Sequence, residues 1–380
     1  MVDRQHVFLI PGFFGFTSFG ELSYFAHVRR ALEGEAARAG LKVAIHDVAV
    51  PPTASIRARA RALLAAVAKV GGTAAPIHLI GHSTGGLDAR LLVSPGVSLG
   101  DGGEGVDPGE LERVAARVRT VLTVATPHRG TPAATFFRTI FGRQLLRVLS
   151  LATIVVLSAG PLPVAALATL ARITRRLDRE LGLAGGLLHA LEEQVLRDFT
   201  PVRRGELVAF LEQVGAESAL VTQLAPEGID LLNAGIGERE GVRYGSIVCC
   251  ARRPGLGALL RVGPSPTALA SHAVFAALHR IAGRAQGLTP DLFEPAQLAA
   301  LRVGFGAVPR PSDNDGVVPT LSQPWGRVIA AVWADHLDIL GHFDAERLVP
   351  PHHDWLSSGT RFGPRPFDEA WRRAFGFLAI

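Results

Sequence analysis

Short apolar runs alternate with helical patterns along most of this chain, and that alternation leaves few folds open. Candidate strands occupy 6–12, 42–50, 76–83, 118–126, 242–251 and 327–334. Several are continuous and β-branched, as strands buried on both faces are. Between the first two, 21–39 reads as a helix. Between the next two, 54–70 does the same, with Arg57, Arg59 and Arg61 ahead of Leu63, Leu64, Val67 and Val70. Strands joined through crossover helices predict an α/β fold, a mostly parallel central sheet with helices on both faces. The stretch 100–109 reads as a surface loop rich in Gly and Asp. A chain of 380 residues, 48% hydrophobic, can bury a sizeable core.

The alternation stops after Arg129 and resumes near Val242. We therefore expect one core built from 1–132 and 241–380, with 133–240 inserted as a helical lid or cap. Within the insertion no charged residue occurs between Arg147 and Arg172. A bilayer crossing takes about 20 apolar residues, so three readings stand: a mobile lid or interfacial hairpin, buried core helices, or a membrane span. A span would put Ser83 and the later chain on opposite sides of the bilayer. Gly160-Pro161-Leu162-Pro163 would also break the run into two helices.

The formal charge is +5, nearly all of it from arginine, since Lys42 and Lys69 are the only lysines. The arginines are scattered among acidic residues and do not form the stripe that nucleic acid requires. Cys249 and Cys250 are adjacent and have no second pair to bridge to, so nothing points to an oxidising compartment. The first residues lead straight into Val7-Phe8-Leu9-Ile10 and do not read as a signal peptide. The expected location is cytoplasmic, with peripheral contact at the inner membrane surface through 145–171 as an extension.

Two Gly-x-Ser-x-Gly patterns occur, around Ser83 and around Ser98. A serine nucleophile on a strand-to-helix elbow needs a strand before it and a helix after it, with glycines where side chains would clash. Ser83 has both: Ile77-His78-Leu79-Ile80 precedes it and Gly86 to Leu92 follows with helical character. Ser98 sits between Pro95-Gly96 and Asp101-Gly102-Gly103 and reads as a loop serine. Acyl transfer also needs two backbone N–H donors for the developing oxyanion. Thr84, next after the nucleophile, supplies one. Phe13, in the glycine-flanked turn after the first strand, is the candidate for the other.

A triad on such an elbow runs serine, acid, histidine along the chain. Late in the sequence, Ser312 to Pro319 forms a polar turn, and His336 follows the last strand. The base takes the serine's proton, and a buried acid fixes its tautomer. His336 is read as the base; His342 and His352-His353 read as surface or loop histidines. Asp315, immediately before Gly316, is preferred as the acid over Asp313, which could equally form an Asx turn.

Four motifs now carry a resemblance: Val7–Gly15, Gly81–Gly86, Thr126–Pro132, and Asn314–Pro319 with His336-Leu337-Asp338. Their order resembles that of bacterial lipases and esterases of the α/β-hydrolase superfamily. The resemblance implies an α/β-hydrolase fold and a Ser83–Asp315–His336 triad cleaving an apolar or lipid acyl ester through an acyl-enzyme. Phe14, Phe16, His82, Phe136 and Phe137 would then contact substrate. No cofactor is implied, although in some such lipases an aspartate two residues past the histidine binds structural calcium. Asp338 holds that place, but calcium needs six or more oxygens and no second carboxylate stands out beyond Asp291, so a helix-capping or salt-bridging role for Asp338 is the preferred reading. Acyl transfer to another alcohol, or thioesterase chemistry, would use the same residues. An inactive membrane-associated scaffold would have lost a triad member, and none is lost.

Overall fold

The computed structural model of the chain describes residues 5–13, 24–70, 75–100, 106–159, 219–345, 354 and 356–378, with a few scattered residues between 160 and 218. Its six described strands are β1 Gln5–Ile10, β2 Val43–Asp47, β3 Ile77–His82, β4 Val118–Val124, β5 Arg243–Cys250 and β6 Arg327–Trp333. They form one sheet in the order β2-β1-β3-β4-β5-β6, and every pairing is parallel. Each expected strand is present, shorter by a residue or more because the flanking residues turn out of the ladder.

Side-chain alternation assigns the two faces. Val7 and Leu9 of β1, Ile80 of β3 and Leu122 and Val124 of β4 pack with α1 (Ala26–Ala39) and α12 (Pro364–Leu378). Phe8, Ile10, Leu79 and Val121, one residue out of step, pack with α2 (Ile56–Ala68) and α3 (Thr84–Val93). The period of two along each strand divides its residues between two cores. That is why the strand sequences are apolar on both faces.

Several helix ends follow from sequence. Ser55 caps α2 by accepting from Ala58 N, and α1 ends at Gly40 with φ 66°. α4 (Pro108–Ala115) begins inside the stretch read as loop. The Asp107 carboxylate accepts from Gly109 N and Pro108 takes the first helical position, an Asp-Pro start signal.

Between β4 and β5 lie α5 (Pro132–Phe137), α6 (Ile140–Ala159), α7 (Ala219–Gln223) and α8 (Pro226–Gly235). Leu145 and Leu146, and in the charge-poor stretch after Arg147 also Val148, Leu149, Leu151 and Ala152, are buried within the α2–α3 core. The remainder, 160–171, lies outside the described residues apart from residue 169. Among the described residues no helix is long and apolar enough to cross a membrane. After β5 come α9 (Leu256–Val262), α10 (Pro266–Ala282) and α11 (Pro295–Phe305).

Candidate active site

The sheet order reverses at β1: the chain leaves β1 for β2, then crosses back to β3 on the other side. Such a switch point opens a crevice at the carboxyl ends of the flanking strands. Ser83 lies there, at the end of β3, facing the turn that follows β1. Its backbone has φ 52° and ψ −125°, an unusual conformation for a residue with a Cβ. Strain of this kind costs about 1–3 kcal/mol and persists only where the surroundings hold it. Here Ser83 N donates to Val124 O at 2.8 Å, tying the elbow to β4. Two glycines let the segments meet. A Cβ on Gly85 would lie 2.2 Å from Ile10 O, and one on Gly12 would lie 2.7 Å from the Ser83 Cβ.

The late polar turn, held at the end of β5 by Ala251 N donating to Asn314 O, meets His336, which follows β6. His336 Nδ1 is 2.8 Å from Asp315 Oδ2, both side chains being buried. A carboxylate only accepts, so Nδ1 carries the proton and Nε2 is left with its lone pair. Asp315 Oδ1 also accepts from Val317 N and Val318 N, and its Oδ2 from Gln323 Nε2. Gly316 makes the turn with φ 100°. Asp313 points elsewhere: its carboxylate takes Arg253 and the backbone N–H of Arg310. The geometry thus separates the two candidate acids. Ser98 stands on an exposed turn with its hydroxyl accepting from Gly100 N.

Ser83 and His336 line one cavity, together with Phe13, Thr84, Phe137 and several aliphatic side chains. Its walls are almost entirely apolar. A far roomier cavity, 640 Å³, lies at the amino ends of β5 and β6 around Arg243, Arg327 and Phe377 and holds none of these groups. Phe136 is half-buried against Phe137, edge to face, and is not on the wall of the Ser83 cavity. Phe14 and Phe16 lie outside the described residues.

Solved structures match the chain over essentially its whole length, EstA and lipase 1 among them. EstA from Clostridium botulinum is 19% identical, with a TM-score of 0.56 and coverage of 99% of this chain and 87% of that one. Lipase 1 from Pelosinus fermentans is 16% identical, with a TM-score of 0.53 and coverage of 100% and 99%. The fold is that of the α/β-hydrolases. No protein-family model matches the chain, and no curated protein matches it by sequence.

Within this α/β-hydrolase frame, His82 requires a correction. It was expected on the substrate side, but β3 alternation turns it behind Ser83, fully buried. Its Nε2 donates to His336 O at 2.9 Å, and its Nδ1 accepts the Tyr24 hydroxyl proton at 2.7 Å. The Tyr24 oxygen in turn accepts from Gly12 N. Burial, reinforced by the neighbouring His336, pushes the His82 pKa well below its ordinary value, so the ring stays neutral and keeps this tautomer. A chain of neutral hydrogen bonds therefore links the turn after β1 to the backbone of His336. Tyr24→Phe removes two of its links. We expect kcat toward a soluble ester to fall about tenfold with KM changed less than about twofold, the pattern of misplaced groups. A kcat equal to wild type in steady-state assays would reduce Tyr24 to packing.

Sequence reading also missed Arg59. Its guanidinium is fully buried, pairs with Asp88 of α3 at 2.8 Å, and donates to Pro11 O at 2.7 Å and Pro51 O at 3.0 Å. It anchors the same turn that Tyr24 touches. His342, read as a surface histidine, is buried against Tyr24 and His27, because Gly341 at φ 102° turns the chain inward. His352 and His353 lie outside the described residues. The Asp338 carboxylate is buried and accepts from Asp335 N, closing a turn. Asp335 and Asp354, rather than the exposed Asp291, are the carboxylates that raise its pKa along with burial. Among the described residues no three His, Cys, Asp or Glu side chains converge as metal ligands.

Proposed function

We propose that the chain is a serine carboxylic-ester hydrolase acting on esters with an apolar acyl group. The observation that carries this is the buried His336–Asp315 pair sharing an apolar cavity with a serine on a strained strand-to-helix elbow. In this reading the Ser83 hydroxyl attacks the ester carbonyl and passes its proton to His336 Nε2. Asp315 holds the imidazolium that results. The N–H groups of Thr84 and Phe13 take the oxyanion. Collapse of the tetrahedral intermediate expels the alcohol, which leaves with the proton from His336. Water then adds to the acyl-enzyme by the same route, and the acid departs. The neutral wall made by Phe13, Phe137 and Val317 favours a hydrocarbon acyl chain over a charged one. The segment between β4 and β5 supplies Phe137 and Leu146 to that wall, which supports its reading as a cap over the site.

The test is covalent labelling with a fluorophosphonate, followed by peptide mapping. Label is expected on Ser83, with Ser83→Ala unlabelled and Ser98→Ala labelled as wild type. Label that survives Ser83→Ala and maps to Ser98 would move the site to the loop.

A further inference from the structure

The large apolar side chains left in water are unevenly distributed. Of those on described residues, Leu256, Leu259 and Leu260 sit together on α9, exposed by 82%, 40% and 81%. A seven-residue helix that buries only Ala258 is a poor exchange for exposing three leucines. Its mounting is firm: Ala251 N donates to Asn314 O, Arg253 pairs with Asp313, and a Cβ on Gly359 would lie 2.7 Å from Ala258 O. α9 therefore stands on the carboxyl edge of the sheet, the edge that carries Ser83 and Asp315. Arg252, Arg253 and Arg261, all exposed, flank the leucines, and no acidic residue lies between 251 and 265. Arg252 is held over the Trp333 ring, so its charge is fixed beside the apolar tip.

We propose that α9 is an interfacial anchor that docks the catalytic edge onto an anionic lipid surface. The leucines enter the headgroup–acyl boundary and Arg252 and Arg261 meet lipid phosphates, Arg253 being paired with Asp313; this is the pairing that holds short amphipathic segments at membranes. Of 145–171, the stretch expected to make this contact, the described leucines are buried in the core. A docked edge would deliver lipid esters to the apolar cavity, and in that respect the inference rests on the ester-hydrolase reading.

The test separates the two. Flotation of the full chain with phosphatidylcholine vesicles, with and without phosphatidylglycerol, reads docking without any turnover. Wild type and Ser83→Ala should both float with the anionic vesicles. Leu256→Ser/Leu260→Ser should lose at least about tenfold in partitioning. Arg261→Gln should lose severalfold and show a weaker dependence on salt. The leucine variant should keep the wild-type thermal midpoint and hydrolyse a dissolved nitrophenyl butyrate at the wild-type rate. Equal flotation of wild type and the leucine variant, or none by either, overturns the anchor. So does sedimentation showing a wild-type dimer that the variant dissolves, which would give the leucines to a second copy. Flotation without ester hydrolysis would instead leave the anchor standing and remove the proposed activity.

Discussion

Asp315→Asn is expected to lower kcat/KM for a soluble ester by about 10⁴-fold while the fold stays intact. Asparagine can keep its oxygen on Val317 N and Val318 N, where Asp315 Oδ1 now accepts, so the turn has no reason to open. The substituted NH₂ would occupy the place of Oδ2, facing His336 Nδ1. A donor there selects the tautomer in which Nδ1 accepts and Nε2 holds the proton. That ring cannot take a proton from Ser83, and the imidazolium loses its counter-charge. Because neither effect touches a bound neutral substrate, the loss should fall on kcat, with KM within a few-fold. The same amide would also face Gln323 Nε2, a second donor, so a modest drop in thermal midpoint accompanies it. Asp313→Asn, two residues away and paired with Arg253, should retain nearly full activity. A full rate in Asp315→Asn, or an equal loss in Asp313→Asn, would show that the acid has been misassigned.

The contrast between those two aspartates shows what the sequence does and does not display. The strands were legible because several carry continuous apolar runs, such as Val7–Ile10 and Val328–Trp333, and a parallel sheet buries both faces. The elbow was legible because its glycines are enforced by distances of 2–3 Å to neighbouring backbone and side-chain atoms, so few other residues could stand there. Asp315 and His336 could be paired only through a resemblance in motif order, since nothing local in either stretch measures their separation. Three groups around the site were not found. Tyr24 falls inside the stretch 21–39 that reads as a helix and looks like any aromatic of such a stretch; its role depends on His82 pointing behind the nucleophile, which strand phase could have revealed. Gln323 directly follows the one-turn helix Thr320–Ser322 and has no motif of its own. Arg59 did leave a signal: Ile56, Arg59, Leu63 and Val67 share one helical stripe, and an arginine on that stripe must find a buried partner or disrupt the core. α9 was missed because its pattern, apolar residues followed by arginine, was absorbed into the expectation of a scattered charged surface.

That buried arginine supports the last prediction. Arg59→Met should destabilise the protein by about 3–5 kcal/mol at neutral pH, since it strands the Asp88 carboxylate with neither water nor a cation. Even with Arg59 in place, burial pushes the Asp88 pKa up to about 6. A carboxyl group whose folded pKa exceeds its unfolded value favours the folded state below the unfolded value, and that contribution is lost as pH rises through the folded one. Removing the guanidinium raises the folded value further. The deficit of Arg59→Met should therefore be largest at pH 7–8 and shrink as pH is lowered toward about 4, where the carboxyl is protonated with or without its partner. Arg59→Met/Asp88→Leu, which removes both charges, should regain most of the lost stability. It should not regain activity, because Pro11 O still lacks the donor that anchors the turn carrying Gly12 and Phe13. Urea denaturation at several pH values alongside ester turnover distinguishes these effects. If the single variant unfolds within about 1 kcal/mol of wild type at pH 7, Arg59 is no keystone, and if the double variant recovers full kcat, the turn after β1 does not depend on it.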